Sequence, residues 1–512
     1  MISYNDLTPP ERALWDAFPE GRRVDLRVGT PGTDLVSRGG EWGADRTVRA
    51  AVIVALVLGA NTAQAGAVAC LKLAGARIAG HLSLAGAQIE HSLWIEECWF
   101  EAAVDLLGAS AKTIGMTGCR VPGIEADSAH IEGNLDLRRS VVESLASSPF
   151  NNVSTALSLS DAKVGGGMLL NGAHLSAPGG WAMAAGGLVM GGGIYCNRGF
   201  VARGEIRLVG AQLPRGLYMR GSQLNDPGPH GVALALNNAV VSRLDFSDGF
   251  IANGTVKLRS TQISDRVGFE GGTLNGSPDG DAPALHCRLM QAADVDLTLA
   301  RPPTGAVDLT GAQVSYLCDS EHSWPATVQL EGFVYGSLKK VESGERRDSV
   351  NYRLAWIRRS PGYSPQPYEQ LASWYRTIGH DDDARRVLLA KQRHRRRALP
   401  LPARGWGHLL DATVGYGYRP WLAGIWLLAL TLLGTLAFRT QSPTPVKPGE
   451  GPPFQPLVYA LDLLIPIGGL GQRTAWYWTA PGPQWLAYAL LASGWVLTTA
   501  IVAGVSRTLQ KT

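Results

Sequence analysis

The sequence predicts a mainly β chain: a β-solenoid, then a helical hairpin, then two transmembrane helices. Three observations predict it. A short motif, Leu-x-Gly-Ala-x-(Ile/Leu/Val), keeps returning between Val68 and Leu338. Charge is partitioned, with a net −7 over 68–338, +9 over 339–404 and only +3 over 405–512. Two runs without a charge, 421–438 and 485–505, lie near the end. These divide the 512 residues into an N-terminal helical cap (1–67), the solenoid (68–338), a basic helical collar (339–404) and a membrane domain (405–512).

The solenoid is read from its period. The motif stands at Leu73–Ile78, Leu84–Ile89, Leu170–Leu175, Leu208–Leu213 and Leu309–Val314. Between copies the apolar marks continue five or six apart, as in Leu84, Ile89, Ile95, Phe100 and Leu106. A helix of 3.6 residues per turn cannot keep that spacing on one face, and a flat strand would alternate. A coil that turns a corner every five or six residues can. Four sides give about 21–22 residues per turn and roughly twelve turns. The Leu and Ile positions point inward, glycine takes the positive φ of the corner, and alanine fits against the next turn. Stretches 145–152, 176–187, 225–231 and 275–283 are rich in turn residues and predict excursions. The pattern resembles the pentapeptide-repeat group of right-handed quadrilateral β-helices, whose period of five survives here as an alternation of five and six.

Composition narrows the class. Apolar residues make up 45% and charged ones 18%, against roughly 25% charged in soluble domains. The 62 glycines follow no Gly-X-Y period, so the chain is neither collagen-like nor disordered. Six scattered cysteines without a C-x-x-C pair predict free, buried thiols in a reducing compartment. The first twenty residues hold four acids and no apolar run, so no export signal is expected there. Ala50–Ala60 imitates one but is too short to span a bilayer, and predicts a buried helix that caps the first turn.

The period changes in Pro367–Arg397. Tyr368, Leu371, Ala372 and Tyr375 recur at three and four, as do Ala384, Val387, Leu388 and Lys391. Gly379 ends the first helix and Asp381 caps the second. Lys391, Arg393, Arg395, Arg396 and Arg397 crowd its last turn, about twenty residues before an apolar run. There they predict a collar for anionic lipid, at about 1 kcal/mol per cation, and nucleic acid is not expected.

The two spans are about 27 and 31 Å long at 1.5 Å per residue. Trp421, Trp476, Trp478 and Trp485 mark their ends as an interfacial belt would. Basic residues before the first span and after the second place both termini and the solenoid in the cytoplasm, at a plasma membrane. Thr413-Val-Gly-Tyr-Gly417 matches the potassium-filter signature, yet it precedes the first span, so it predicts an aromatic turn and no filter. Between the spans, 454–470 carries Asp462 and Pro466 and runs into Gly468, Gly469 and Gly471. The segment predicts an amphipathic helix on the outer surface with Asp462 in water, or alternatively a re-entrant segment in which Asp462 is functional.

Arg49-Ala-Ala-Val-Ile53, Leu58-Gly59, the Gly-Ala solenoid, Tyr416-Gly-Tyr-Arg-Pro420, Tyr459–Pro466 and Gly494-Trp-Val496 together resemble a family of actinobacterial membrane proteins over nearly the whole chain. Its usual label, membrane-associated oxidoreductase, is what that resemblance implies. No residue pattern supplies the chemistry: G-x-G-x-x-G, P-loop, H-E-x-x-H and G-x-S-x-G are all absent, so no cofactor or metal is expected. Asp319-Ser-Glu-His322 is the densest reactive run in the solenoid and reads as a solvated loop. The expected function is a membrane-anchored scaffold or sensor that binds a protein partner along the solenoid. The alternatives are a subunit of a homo-oligomeric channel with the solenoid as gate, or the labelled oxidoreductase. DNA mimicry by the acidic solenoid has weaker support, at −7 over about 270 residues.

Overall fold

Leu84, Ile89, Ile95, Phe100 and Leu106 are all buried, each at 3% exposure or less, on successive sides of one coil. The computed structural model describes residues 2–30, 32–144, 153–276, 282–320, 322–339, 350–397, 400, 408, 411–413, 415–417, 421–466 and 468–509. The chain forms two compact units, 1–362 and 363–512.

The first unit is a parallel β-solenoid of about eleven turns, against the twelve predicted. One turn reads Leu93–Glu96, Trp99–Phe100, Val104–Asp105 and Ser110–Ala111, four short strands on four sides. Each side stacks in register on the next turn. Leu71 pairs with Leu93, Leu93 with Ile114 and Ile114 with Leu135, steps of 22 (71 to 93), 21 (93 to 114) and 21 (114 to 135). Every one of these ladders is parallel, and two-residue sides suffice because each contributes one inward side chain to a continuous apolar stack.

The corners carry the second half of the motif. Gly86, Gly108, Gly187, Gly210, Gly311 and Gly332 hold positive φ, and where glycine is missing Ser128, Asp161, Asn238, Ser260 and Leu289 adopt it instead. The alanine that follows is buried, as at Ala109, Ala211 and Ala312. Aspartates brace corners too, those of Gly108 and Gly311 among them. Asp105, Asp136, Asp296 and Asp308 each accept the backbone N–H two residues on, at 2.9–3.1 Å. These four carboxylates therefore brace turns.

Insertions are absorbed in two ways. Residues 226–231 leave the coil as turns, as predicted. Residues 176–184 do not: His174–Ala184 is one bulged strand, with register shifts around Trp181. The extra residues extend a side because their backbone still finds partners in Val201–Arg207. Excursion 145–152 and residues 277–281 of the last one lie outside the described residues.

Both ends are covered. At the start, α1 (Pro9–Ala17) opens with Glu11 reaching back to accept the Thr8 backbone N–H at 2.9 Å. Helix α2 (Ala50–Val57) buries Val52, Ile53 and Leu56 and packs on the first turn, as expected of a cap. Val24–Asp25 and Thr47–Arg49 add parallel strands to that turn, so its edges do not stay open. At the other end α3 (Val350–Ile357) packs Trp356 against Trp324, Phe333 and Tyr335. The Asp319–His322 run is part of this closure. Asp319 is 3% exposed and joined to Arg353, which corrects the reading of a solvated loop; Glu321 lies outside the described residues.

In the second unit α4 (Gln366–Thr377) and α5 (Asp381–Arg397) form the predicted hairpin, burying Tyr368, Leu371, Tyr375, Val387 and Leu388. Gly379 turns between them with φ +82. Asp381 is the first helical residue instead of the cap, so its carboxylate complements the helix start from one position further in. Beyond them lie α6 (Trp421–Phe438), α7 (Pro456–Leu464), the single turn α8 (Gln472–Ala475) and α9 (Pro481–Leu509). Among the described residues one helix, α6, is long and apolar enough to cross a membrane. Most of it is uncovered, with Trp421, Leu428 and Leu436 each more than 60% exposed.

Candidate interaction surface

On the solenoid, the sides of four late turns merge into long strands, Gln262–Gly268, Gln291–Asp296, Gln313–Cys318 and Val334–Lys339. Their register is Gln262 to Gln291 to Gln313 to Val334, with Val240 before them. Three glutamine side chains therefore stand in a column at about 4.8 Å spacing. All three are exposed, and among the described residues none of their amides has a hydrogen-bond partner.

Beside this column runs a second of Ser264, Ala293 and Ser315, and between them lies the strand backbone at Ile263, Ala292 and Val314, whose side chains turn into the core. The result is a groove of about 560 Å³ with no charged residue among the described residues that line it. Charge begins at its rim, where Arg243 meets Asp265 at 2.6 Å. Farther along the same strands Arg266 holds Asp296 at 2.8 Å and also reaches Glu270. Burial pushes the Glu270 carboxyl up, and the Asp296 charge adds to it. Chemically the groove offers apolar contact, an open row of amide donors and acceptors, and no acid or base to move a proton.

The residues singled out by sequence lie elsewhere, in the second unit. The collar is largely spent internally. Lys391 pairs with Glu369, and Arg393 and Arg396 both clamp Asp411, at 3.0 and 3.2 Å. Burial raises the Asp411 carboxyl, but the hydrogen bonds and charge of the two arginines outweigh it and hold it below the usual range. Arg396 also reaches the Tyr416 hydroxyl at 3.4 Å. Arg395 and Arg397 are exposed. The filter-like run is a tight turn in which Tyr416 takes a left-handed conformation (φ +55); Val414 lies outside the described residues, as do 418–420.

Asp462, in the last turn of α7, is brought together with the loop that carries Pro466, Gly468, Gly469 and Gly471. Asp462 is fully buried, which corrects its placement in water. Its two oxygens accept the backbone N–H groups of Leu470 and Arg473, both at 2.8 Å. Pro466 follows the end of α7, and Gly468 and Gly471 take φ +85 and +83 to bring the chain back. Helix α7 is wedged between its neighbours: a Cβ on Gly434 of α6 would lie 3.0 Å from the Ala460 Cβ, and one on Gly494 of α9 would strike the Leu464 carbonyl oxygen at 2.3 Å. Trp478 also leaves the predicted belt, since it is 6% exposed and stacks on Phe438 at 5.1 Å; Trp421 and Trp485 remain open.

No family model, curated protein or solved structure matches the chain. The solenoid stands on its own geometry. The resemblances to actinobacterial membrane proteins and to pentapeptide repeats gain no support beyond it. Sequence reasoning did not find the glutamine column, and its only signal was Gln followed by an apolar residue at the start of three of the four long strands.

Proposed function

We propose that this protein is a membrane-anchored scaffold whose solenoid binds a protein partner along the uncharged groove at Gln262, Gln291 and Gln313. The observation that carries this reading is the row of exposed amides, without a partner among the described residues, along an uncharged groove. Exposed amides that meet no protein group gain most from a partner's backbone, since each new bond replaces only water. The partner is an uncharged, extended polypeptide segment. The coil is right-handed, the anchor is two spans, 421–438 and 485–505 within α9, and both termini and the solenoid face the cytoplasm of a bacterial inner membrane. The exposed apolar length of α6 supports the anchor.

The channel alternative draws less from the geometry, because both oxygens of Asp462 are occupied by backbone N–H groups. To test the scaffold, a photo-crosslinking residue is placed at Gln291 in the full chain in native membranes, with Lys163 as a control elsewhere on the same column. The expected result is one protein adduct specific to Gln291 and lost on Gln262→Arg/Gln313→Arg. Equal labelling from both positions would remove the groove as a binding surface.

A further inference from the structure

We propose that the second unit holds an anionic glycerophospholipid, its phosphate on Arg473 and an acyl chain between α7 and α9. A groove of about 420 Å³ lies there, lined by Tyr459 and Leu463 of α7, by Trp476 and Trp478, and by Tyr488 and Leu491 of α9. Among the described residues Arg473 is the one charged residue in its lining, and its guanidinium has no acceptor there. Only its backbone N–H is used, by Asp462. The indole N–H of the buried Trp478 also lacks an acceptor in hydrogen-bond geometry.

The shape matches an amphiphile. Gln484, Tyr488 and Leu491 succeed one another along α9 over about 10 Å, from the start of the proposed span inward. The polar end is near Gln484, whose amide donates to the Tyr488 hydroxyl at 3.1 Å. The inner end is aliphatic. An unpaired guanidinium beside hydrocarbon is costly, and a lipid phosphate satisfies it with a bidentate pair while the chain fills the apolar part. A free phosphate would leave that part empty, and a neutral diacylglycerol would leave Arg473 unpaired. With no acid among the described residues of the lining, the groove selects a headgroup with net negative charge.

This inference rests on the reading that α6 and α9 span a membrane, and the experiment separates the two. Full-length protein is extracted with detergent and titrated with phosphatidylglycerol, diacylglycerol or inorganic phosphate, and adducts are counted by native mass spectrometry. The expected result is a saturable phosphatidylglycerol adduct, about tenfold weaker in Arg473→Gln, partly kept in Arg473→Lys and unchanged in Arg395→Gln. Diacylglycerol binding equally well, millimolar phosphate displacing the lipid, or Arg473→Gln binding like the parent would each overturn the site. Thermal unfolding of Arg473→Gln, expected to match the parent, excludes misfolding as the cause of a loss; a variant that unfolds early is replaced by Tyr488→Glu, which puts a carboxylate in the groove's exposed wall and should also abolish the adduct. Release of the protein from membranes by alkaline carbonate would overturn the spanning reading and this site with it. Retention in the membrane without an Arg473-dependent adduct would overturn the site alone.

Discussion

Arg353 grips both carboxylate oxygens of Asp319, at 2.7 and 2.9 Å, across 34 positions of sequence. Both side chains are almost fully buried, at 1% and 2% exposure, and the Trp324 indole donates to the same carboxylate at 2.7 Å. The pair fastens α3 over the last turn of the solenoid. Removing one partner leaves a buried charge unmatched, so Asp319→Ala should cost about 3–5 kcal/mol. Replacing both, Asp319→Leu with Arg353→Leu, should recover much of that loss, because no charge is then left buried. Urea unfolding followed by hydrogen exchange at Trp324 and Trp356 checks the order of the three proteins. A double variant no better than Asp319→Ala would mean that the charges themselves are needed.

The other end has a pair with a pH signature. Glu11 is buried and receives Arg49 Nε and Nη2, both at 2.7 Å, and the backbone N–H of Thr8 at 2.9 Å. Burial alone would raise its carboxyl, but these bonds outweigh burial and lower it from 4.5 to about 2. A folded value below the unfolded one adds stability that is complete above pH 4.5 and lost as pH falls towards 2. Because Arg49 is 45% exposed, screening limits the gain to about 1–2 kcal/mol. Denaturation midpoints at pH 6 and pH 3 should therefore differ more for the parent than for Glu11→Gln. Identical pH dependence in the two proteins would show that this pair contributes nothing.

Leu289 occupies a corner that glycine takes in the next turn. Its φ is +59, and a Cβ on Gly311 would come within 2.8 Å of the Leu289 Cδ2. Leu289 is 51% exposed, so little packing is lost with it. Leu289→Gly should stabilise the solenoid by about 0.5–1 kcal/mol, the left-handed strain less the added chain entropy of glycine. Gly311→Ala should destabilise it by about 1–2 kcal/mol, and less in the Leu289→Gly background, where the clash is gone. A double-mutant cycle on thermal unfolding measures that coupling, and strict additivity would place the strain elsewhere.

What could be read from sequence depended on how far each interaction reaches. The five-and-six spacing of Leu84, Ile89, Ile95, Phe100 and Leu106 is local, so it exposed the coil and its corners. The glutamine column was hidden because its steps are unequal: 22 (240 to 262), 29 (262 to 291), 22 (291 to 313) and 21 (313 to 334). The long step absorbs an insertion, which leaves the stacking intact in space and breaks the period in sequence. The same holds for Asp319, whose partner lies on another element. The arginines of 393–397 were legible as a basic cluster, but Asp411 is some fifteen residues away from Arg396 and nothing local announces that it neutralises two of them.

That neutralisation gives the collar a testable asymmetry. Arg396 is 14% exposed and ties α5 to Asp411 and Tyr416, while Arg395 is exposed and has no partner among the described residues. Arg396→Gln should lower the thermal stability of the second unit by about 1–2 kcal/mol, through one charge-assisted bond lost and a half-buried carboxylate left with a single arginine. Arg395→Gln should leave unfolding within about 0.5 kcal/mol of the parent. Unfolding in detergent, followed by hydrogen exchange in α5, reads both. Equal losses would mean that the cluster acts by its summed charge and not through Asp411.

Asp462 is a structural acceptor on this geometry, and the two ways of removing its charge distinguish that from a functional charge. Asp462→Ala leaves the part-buried N–H groups of Leu470 and Arg473 without their acceptor, at a cost of about 1–3 kcal/mol. Asp462→Asn keeps one oxygen and turns the other into a donor that faces a donor, so it should lose roughly half to all of that. The loop closes α7 against Gly434 and Gly494, so loosening it should free the aromatic cluster of Phe438, Tyr459 and Trp478. Tryptophan fluorescence of the full chain in detergent should then shift to longer wavelength at a lower temperature, in the order parent, Asn, Ala. If both variants melt with the parent, the carboxylate is not what holds this loop, and its burial must serve the chemistry of the membrane segment instead.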